Sequence, residues 1–214
     1  MKNNIYNQKI KRNKTTKIQK NNQKKVLDAA LEIFSRHGYK GSTINQISTL
    51  AGMSKANLLY YFNNKQILYL AVLNRTLETW LESLEDLDPK GVPLDELWNY
   101  INQKLNVSKI MQNESRLFAM EIIQGAPILK EIIQTNLKKR IDKSTKLIDK
   151  WIKAKKIAPV DPLHLLFVIW AMTQTYADFW TQIEILSSDR KNPDKIFKKA
   201  KFTIKQLVIN GLQP

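Results

Sequence analysis

The spacing of apolar residues from Val26 almost to the C-terminus constrains the fold of this 214-residue chain more than any other feature. Apolar side chains recur every three or four residues, which is the period of an amphipathic helix. No stretch shows the sustained alternation of apolar and polar residues that a half-buried strand requires. The sequence therefore predicts an all-α protein, with a small N-terminal helix-turn-helix head on a larger helical body.

Glycines, prolines and capping residues divide this pattern into helices. The first helix is expected from about Lys24 to His37, with Gly38 ending it. Capping residues open the next three helices, and they are Thr43 with Gln46, Ser54, and Asn63 with Gln66. The fourth helix should end near Leu84. Later helices are expected at about 94–111, 114–124, 127–155, 161–186 and 194–210.

The formal net charge of +16 is unevenly distributed along the chain. Residues 1–25 contain eight lysines and one arginine but no acid, while the residues after 65 carry only a small excess of bases. We interpret residues 1–24 as a flexible basic arm, because they contain too few large apolar groups to form a core. A basic excess of this kind favours a polyanionic partner, either nucleic acid or an anionic membrane, although a solvated tail without a partner has the same composition.

Several classes of protein are disfavoured by what the chain contains. It has no cysteine and two histidines, and it shows neither a glycine-rich phosphate loop nor a cluster with metal-ligand spacing. We therefore expect no catalytic site, no metal and no cofactor. The longest apolar run, from Leu165 to Met172, is too short to cross a bilayer, so we predict a cytoplasmic protein without a membrane partner.

The segment from Thr43 to Phe62 has the spacing of a helix-turn-helix. Gly52 supplies the permissive backbone for a tight turn between two short helices. Lys55, Asn57 and Tyr60 would then lie on the outer side of the second helix. A lysine can reach guanine or phosphate oxygens, an asparagine can bond an adenine edge, and a tyrosine can contact phosphate or a thymine methyl group.

Residues 25–72 resemble the DNA-binding domain of the TetR family of transcriptional regulators. The motifs that carry this resemblance are Ala29-Ala30-Leu31-x-x-Phe34, Gly38-Tyr39-x-Gly41-Ser42-Thr43, Ile47-x-x-x-Ala51-Gly52-Met53-Ser54 and Leu59-Tyr60-Tyr61-Phe62-x-x-Lys65. The resemblance implies that Thr43 and Lys65 hold phosphates of a double-stranded operator. It also places a set of side chains along the DNA surface, namely Ser54, Lys55, Asn57, Tyr60 and Tyr61. Thr43 could equally serve only as a helix cap, and Tyr61 could belong to the core.

The late helices contain aromatic and polar residues that could line a ligand pocket. Trp170, Gln174 and Asp178 recur at intervals of four residues and share one face of a helix. A buried amide and carboxylate require partners, and a small planar ligand between aromatic walls would supply them. In an alternative interpretation, this helix forms a dimer interface in which Gln174 bonds across a two-fold axis.

From Lys24 onward the chain resembles the pyrimidine-utilisation regulators of the TetR family. Further motifs support this, and they are Ser115-Arg116-Leu117-Phe118-x-Met120-Glu121, Gly125-Ala126-Pro127, Ala158-Pro159-x-Asp161-Pro162 and Ile169-Trp170-Ala171-x-Thr173-Gln174-x-Tyr176-Ala177-Asp178-Phe179. The resemblance implies a homodimer that binds uracil or thymine as effector. Trp80 and Trp170 would flank the ring, Gln174 would bond its polar edge, and Phe118 and Asp178 would complete the site. Arg116 and Glu121 could be pocket groups, but a structural pair between helices suits them better.

The expected organisation is an arm at 1–24, a helix-turn-helix domain at 25–66 and a ligand-binding and dimerisation domain at 67–214. The fourth helix would carry Lys65 near one end and Trp80 near the other, so it could transmit ligand binding to the head. The predicted function is a regulator, expected from the family to be a repressor, that releases DNA when ligand binds. Two alternatives remain open, a TetR-type sensor of another small or drug-like ligand and a nonspecific architectural DNA binder.

Overall fold

The computed structural model describes residues 16–214, and in that range the backbone forms helices and turns but no strand. The helices are α1 Lys17–Gly41, α2 Ile44–Leu50, α3 Lys55–Tyr61, α4 Lys65–Glu85, α5 Pro93–Ile110, α6 Gln112–Ile123, α7 Lys130–Ile132, α8 Lys138–Lys153, α9 Pro162–Asp178, α10 Trp180–Leu186 and α11 Pro193–Ile204. Short π-helical segments continue α7 and α11, at Ile133–Leu137 and Lys205–Ile209. The all-α prediction is confirmed.

Helices α1, α2 and α3 pack with the start of α4 into the head. Their apolar stripes meet in a core where Val26, Phe34, Ile47 and Leu58 are fully buried. Each of these side chains lies on the apolar face of its helix. Because α2 and α3 are only two turns long, this shared core stabilises them more than their own helical propensity does.

The first helix begins about two turns earlier than predicted. Thr16 accepts a hydrogen bond from the backbone N–H of Gln19, and the Gln19 side chain bonds back to the Thr16 N–H, which closes a capping box. The amide of Asn22 also donates to the Tyr61 hydroxyl at 3.1 Å, tying this extension to α3. The predicted arm is therefore wrong for residues 17–24, which are helical, and its first 15 residues lie outside the described range.

The caps and turns of the head follow the predicted residues except at Gly38 and at the start of α4. Gly38 has a φ of +67° and kinks α1, which continues for one further turn. Gly52 has a φ of +65° in the turn between α2 and α3, which glycine adopts without a steric penalty. The cap of α4 is Asn64, whose side chain accepts from the N–H of Ile67 at 2.8 Å, so the prediction of Asn63 is wrong by one residue.

The body is built from α5, α6, α8 and α9; α5, α6 and α8 pack against α4, and α11 lies along α5. The predicted helices 127–155 and 161–186 are both interrupted. The π-helical turn of Ile133–Leu137 separates α7 from α8, and Phe179 leaves the helical conformation between α9 and α10, where it is 56% exposed. Within residues 16–214, no helix is both long and apolar enough to cross a membrane.

Tyr69 of α4 joins the head to the body. Its ring packs edge-on against Phe34, with centroids 4.9 Å apart, and lies at the same centroid distance from Tyr39. Its hydroxyl donates to the buried carboxylate of Glu121 on α6 at 3.2 Å. Burial, followed by the Glu121 charge, raises the pKa of Tyr69, so the phenol stays protonated and keeps donating.

The second oxygen of Glu121 fixes the turn after α6. It accepts the backbone N–H groups of Ile128 at 2.7 Å and Leu129 at 3.2 Å. Arg116 instead contacts the Asn113 side chain at 2.6 Å. The expected pair between Arg116 and Glu121 is therefore wrong, because the carboxylate is already satisfied by three donors from α4 and from the turn.

We expect Tyr69→Phe to lower the free energy of unfolding by about 1–2 kcal/mol, because the change removes one of three donors from a buried carboxylate. Urea unfolding followed by circular dichroism measures this loss. Tyr60→Phe is the matched control, since Tyr60 is 71% exposed and its change should cost less than about 0.5 kcal/mol. Equal stability of the two variants would contradict a structural role for the Tyr69 hydroxyl.

Candidate DNA interface and effector cavity

Helix α3 presents the side chains predicted to read DNA on its solvent face. Its inner side packs into the core of the head through Leu58, which is fully buried. Lys55, Asn57 and Tyr60 are exposed. Ser54 caps the helix by accepting the N–H of Asn57 at 3.2 Å. The helix therefore offers an ammonium, an amide and a phenol to a groove, three groups that can bond base edges and phosphates.

Three other predicted DNA residues make contacts inside the protein. Thr43 forms the capping box of α2 with Gln46, so its backbone N–H already donates at 2.8 Å. The ammonium of Lys65 donates to the carbonyl oxygens of Tyr39 at 2.8 Å and Ser42 at 3.0 Å, and lies over the Tyr39 ring. Lys65 thus links the C-terminal turn of α1 to the start of α4. Its contact with phosphate stays a prediction.

Tyr61 is half-buried, and its hydroxyl accepts the hydrogen bond from Asn22 described above. This position agrees with the alternative raised from the sequence, in which Tyr61 belongs to the core. The bond places the first turns of α1 beside α3, and those turns carry the exposed lysines Lys17, Lys20 and Lys24. Positive charge therefore continues from the outer face of α3 along the start of α1, where it can meet flanking phosphates.

A cavity of about 60 Å³ lies in the body between α4, α5, α6 and α9. Its lining includes four of the five predicted ligand residues, namely Trp80, Phe118, Trp170 and Gln174. The rings of Trp80 and Phe118 meet edge-on with centroids 4.9 Å apart. The indole N–H of Trp170 donates to the Tyr100 hydroxyl at 2.7 Å, which fixes the orientation of that ring. Gln174 lines this cavity, which favours the pocket over the dimer-axis interpretation.

Lys104 of α5 also lines the cavity, and this role was not predicted from the sequence. The residue is only 4% exposed, and its ammonium lies 4.8 Å from the centroid of the Trp80 ring. Burial lowers the pKa of Lys104 to about 8, with the nearby Asp178 acting in the opposite direction. The signal was present in the sequence, because Lys104 falls on the same apolar stripe of α5 as Tyr100 and Leu97.

Asp178, the fifth predicted ligand residue, does not line the cavity. Its carboxylate accepts from the Ser115 hydroxyl at 2.5 Å and faces the charge of Lys104. Burial raises the pKa of Asp178, while Ser115 and Lys104 lower it. The carboxylate therefore partly balances the charge of Lys104 and is not part of the cavity lining.

The lining defines what kind of ligand the cavity can accept. Aromatic faces favour a planar group, the Gln174 amide can both donate and accept, and the Lys104 ammonium can donate to a carbonyl oxygen. Among residues 16–214, no group of three or more His, Asp or Glu side chains is placed to hold a metal ion. The side chains that line the cavity are chemically suited to a planar, polar group.

Two family profiles together cover the chain from residue 26 to its end. The profile described as "Bacterial regulatory proteins, tetR family" matches residues 26–72, and the one described as "YcdC-like protein, C-terminal region" matches residues 73–214. The chain belongs to the TetR family. It is a DNA-binding transcriptional regulator with the architecture of ligand-responsive repressors.

Similar TetR regulators agree with this assignment. The chain is 42% identical over 192 residues to the HTH-type transcriptional regulator RutR of Escherichia coli, covering 90% of this chain and 91% of that protein. The crystal structure of AibR in complex with isovaleryl coenzyme A and operator DNA matches with a TM-score of 0.62 and 19% identity, over 83% of this chain and 97% of that one. A tetR-family regulator from Rhodococcus RHA1 matches with a TM-score of 0.71 and 18% identity, over 90% and 97%.

The buried Lys104 should make the stability of this TetR regulator depend on pH. Its pKa falls from 10.5, the ordinary value for a lysine, to about 8 in the folded protein. Between these two values the unfolded chain holds a proton that the folded chain has released, so the free energy of unfolding rises with pH. We expect the wild type to gain up to about 3 kcal/mol relative to Lys104→Met between pH 7 and pH 10.5, since one pKa unit corresponds to about 1.4 kcal/mol.

Urea unfolding of both proteins at four pH values across this range measures the gain. Lys198→Met, which removes an exposed lysine, is the control and should follow the wild type in parallel. A constant difference between the wild type and Lys104→Met at all pH values would show that Lys104 does not release its proton in this range.

Proposed function

We propose that this regulator senses a pyrimidine base, uracil or thymine, in the body cavity and releases its operator when the base binds. The observation that carries the proposal is the convergence of Trp80, Trp170, Gln174 and Lys104 on one cavity. The resemblance to TetR-family regulators of pyrimidine utilisation supports the same ligand. The proposed function is regulatory and not catalytic, and a bacterial regulator of this kind acts in the cytoplasm, where the DNA is.

The polar groups of the cavity complement the edge of uracil. Uracil presents carbonyl oxygens on either side of a ring N–H, so acceptor and donor stand on adjacent atoms. The Gln174 amide carries the opposite pair, a donor beside an acceptor, and Lys104 supplies a second donor for the other carbonyl. The faces of Trp80 and Trp170 would cover the ring.

The size of the cavity suggests how binding changes the conformation. Its volume of about 60 Å³ gives room for a few water molecules, since one water needs roughly 10–15 Å³. A pyrimidine ring therefore binds only if the walls move apart. A ligand that binds the widened state more tightly shifts the population towards it, and α4 forms one of the walls.

Helix α4 connects this wall to the DNA-reading head. Lys65 in its first turn bonds α1, and Trp80 lines the cavity fifteen residues later, roughly 22 Å away at helical rise. Two heads must lie about 34–36 Å apart to enter successive major grooves. A shift of α4 that changes this spacing would weaken operator binding.

Two heads at this spacing require a dimer, and we propose that two copies associate through α9, α10 and α11. Several large apolar side chains on these helices are exposed, including Phe167 at 45%, Phe202 at 67% and Leu186 at 76%. Apolar surface of this extent usually marks a protein interface. A two-fold interface would cover it with the same surface of the second copy.

We expect Gln174→Met to lower the affinity for uracil about 10- to 100-fold, because the change keeps the side-chain length but removes both hydrogen-bonding groups. Isothermal titration calorimetry with uracil and thymine measures the loss. Operator affinity without ligand should be unchanged. Gln134→Met, at an exposed glutamine outside the cavity, is the control.

Two results would count against this ligand assignment. Wild-type protein that binds neither uracil nor thymine at millimolar concentration would exclude a pyrimidine effector. Uracil that binds normally to Gln174→Met would show that the ring binds elsewhere. In either case the TetR family assignment and its DNA-binding role would stand.

We expect Lys55→Ala and Asn57→Ala each to weaken binding to the operator by about 1–3 kcal/mol, because each removes a contact to a base edge. An operator can be selected from a random-sequence duplex library, and fluorescence anisotropy then measures affinity for it and for unrelated DNA. The control Lys90→Ala removes an exposed lysine of the α4–α5 loop. Equal losses on operator and unrelated DNA would indicate an architectural binder that does not read sequence.

A further inference from the structure

Helix α8 carries a row of lysines that neither the DNA interface nor the effector cavity uses. Lys139, Lys143, Lys146 and Lys150 are spaced by three or four residues and fall within about 60° of one another around the helix. We refer to these four residues as the α8 lysine stripe. Like charges at these spacings repel one another and destabilise a helix. The stripe therefore lowers the stability of α8 unless an anion neutralises it.

The neighbouring bases of α8 are paired, whereas the stripe is not. Lys138 contacts Asp142, Lys153 contacts Asp149, and Arg140 contacts both Glu78 and Glu85 of α4. Within residues 16–214, the structure gives no ion pair to any of the four lysines of the stripe. Their side chains are exposed, so the charge is available to a molecule from solution.

A groove of about 700 Å³ runs between three lysines of the stripe and the end of α4. This volume lies within the range of small-molecule sites. The rim is basic, with Lys143, Lys146, Lys150 and Lys156 around the opening. Among the described residues that line the groove, Glu85 alone is acidic, and its carboxylate is already bound to Arg140 at 3.1 Å.

The floor of the same groove is apolar. It is formed by Leu84 and Leu87 from the end of α4 and the following turn, and by Leu147 and Trp151 of α8. Three of these side chains are almost fully buried, and Leu147 is half-buried. A bare inorganic anion would contact the rim and leave the floor in water. The combination fits a molecule that has several negative charges at one end and a flat, weakly polar body at the other.

We propose that this groove is a second ligand site, separate from the pyrimidine cavity, and that it binds a nucleotide polyphosphate. The phosphates lie among Lys143, Lys146 and Lys150, where each ammonium can donate charge-assisted hydrogen bonds to phosphate oxygens. The nucleoside covers the apolar floor at Leu87 and Leu147. The site is independent of the proposed effector, since its lining shares only Leu84 with the cavity.

Calorimetric titration of the full-length protein with ATP, in low salt and without divalent ions, tests this site. We expect saturable binding that weakens as salt increases, because anions compete for the lysines. Adenosine, which lacks the charge, should not bind at the same concentrations. Inorganic tripolyphosphate, which lacks the flat body, should bind several-fold more weakly than ATP.

The double variant Lys143→Gln/Lys146→Gln should lower ATP affinity about tenfold or more, since it removes two cations from the rim. Its matched control is Lys191→Gln/Lys198→Gln, which changes the charge equally at exposed lysines away from the groove and should bind ATP as the wild type does. Circular dichroism of both variants verifies that the helices are retained.

Four outcomes would overturn the proposal. They are the absence of ATP binding, binding of tripolyphosphate as tight as that of ATP, unchanged ATP affinity in the groove variant, and an equal loss in the control variant. If the groove variant keeps its ATP affinity but loses affinity for random-sequence duplex DNA, the stripe is a nonspecific DNA contact.

Discussion

The structure depends most on α4, which belongs to the cores of both the head and the body. Tyr69 illustrates this, because its ring packs on Phe34 of the head while its hydroxyl bonds Glu121 of the body. A buried carboxylate is costly unless its oxygens are satisfied, and Glu121 has donors from α4 and from the turn before α7. The head therefore cannot rotate freely on the body without breaking this set of bonds.

Buried charged groups need partners, and this requirement also explains which polar groups are tolerated inside the body. Lys104 is buried and Asp178 is half-buried, and each shifts the pKa of the other in the direction that favours its charged form. Ser115 completes the cluster by donating to the carboxylate. A wholly apolar interior of the same shape would be at least as stable. The position of Lys104 in the cavity lining is consistent with the proposed role of this side chain in ligand binding.

Positive charge is used in different ways along the chain. Lys65 lies against two carbonyl groups and a ring, and so stabilises the head. Lys55 remains exposed on α3, where its charge can meet DNA. Lys143 and Lys146 border an apolar groove far along the sequence from the head. Within residues 16–214, the basic side chains thus include structural, solvent-exposed and groove-lining groups, which composition alone does not separate.

The sequence by itself determined the local features. Helical periodicity predicted the all-α fold, and the caps at Thr43 and Ser54 and the turn at Gly52 were correct, because these features depend on residues within one or two turns. The spacing of Trp170 and Gln174 also placed both on one wall of the cavity, since a helix fixes which residues share a face.

Tertiary structure alone decided which polar groups meet. The electrostatic interaction of the buried Lys104 with Asp178 joins residues of α5 and α9, and the bond from Asn22 to Tyr61 ties the added turns of α1 to α3. The carbonyl contacts of Lys65 likewise come from the end of α1, and Glu121 takes its donors from α4 and from the turn before α7. Periodicity shows which side of a helix is inward. It contains no information on which helix lies opposite, and the opposite helix determines the partners and the protonation of each buried group.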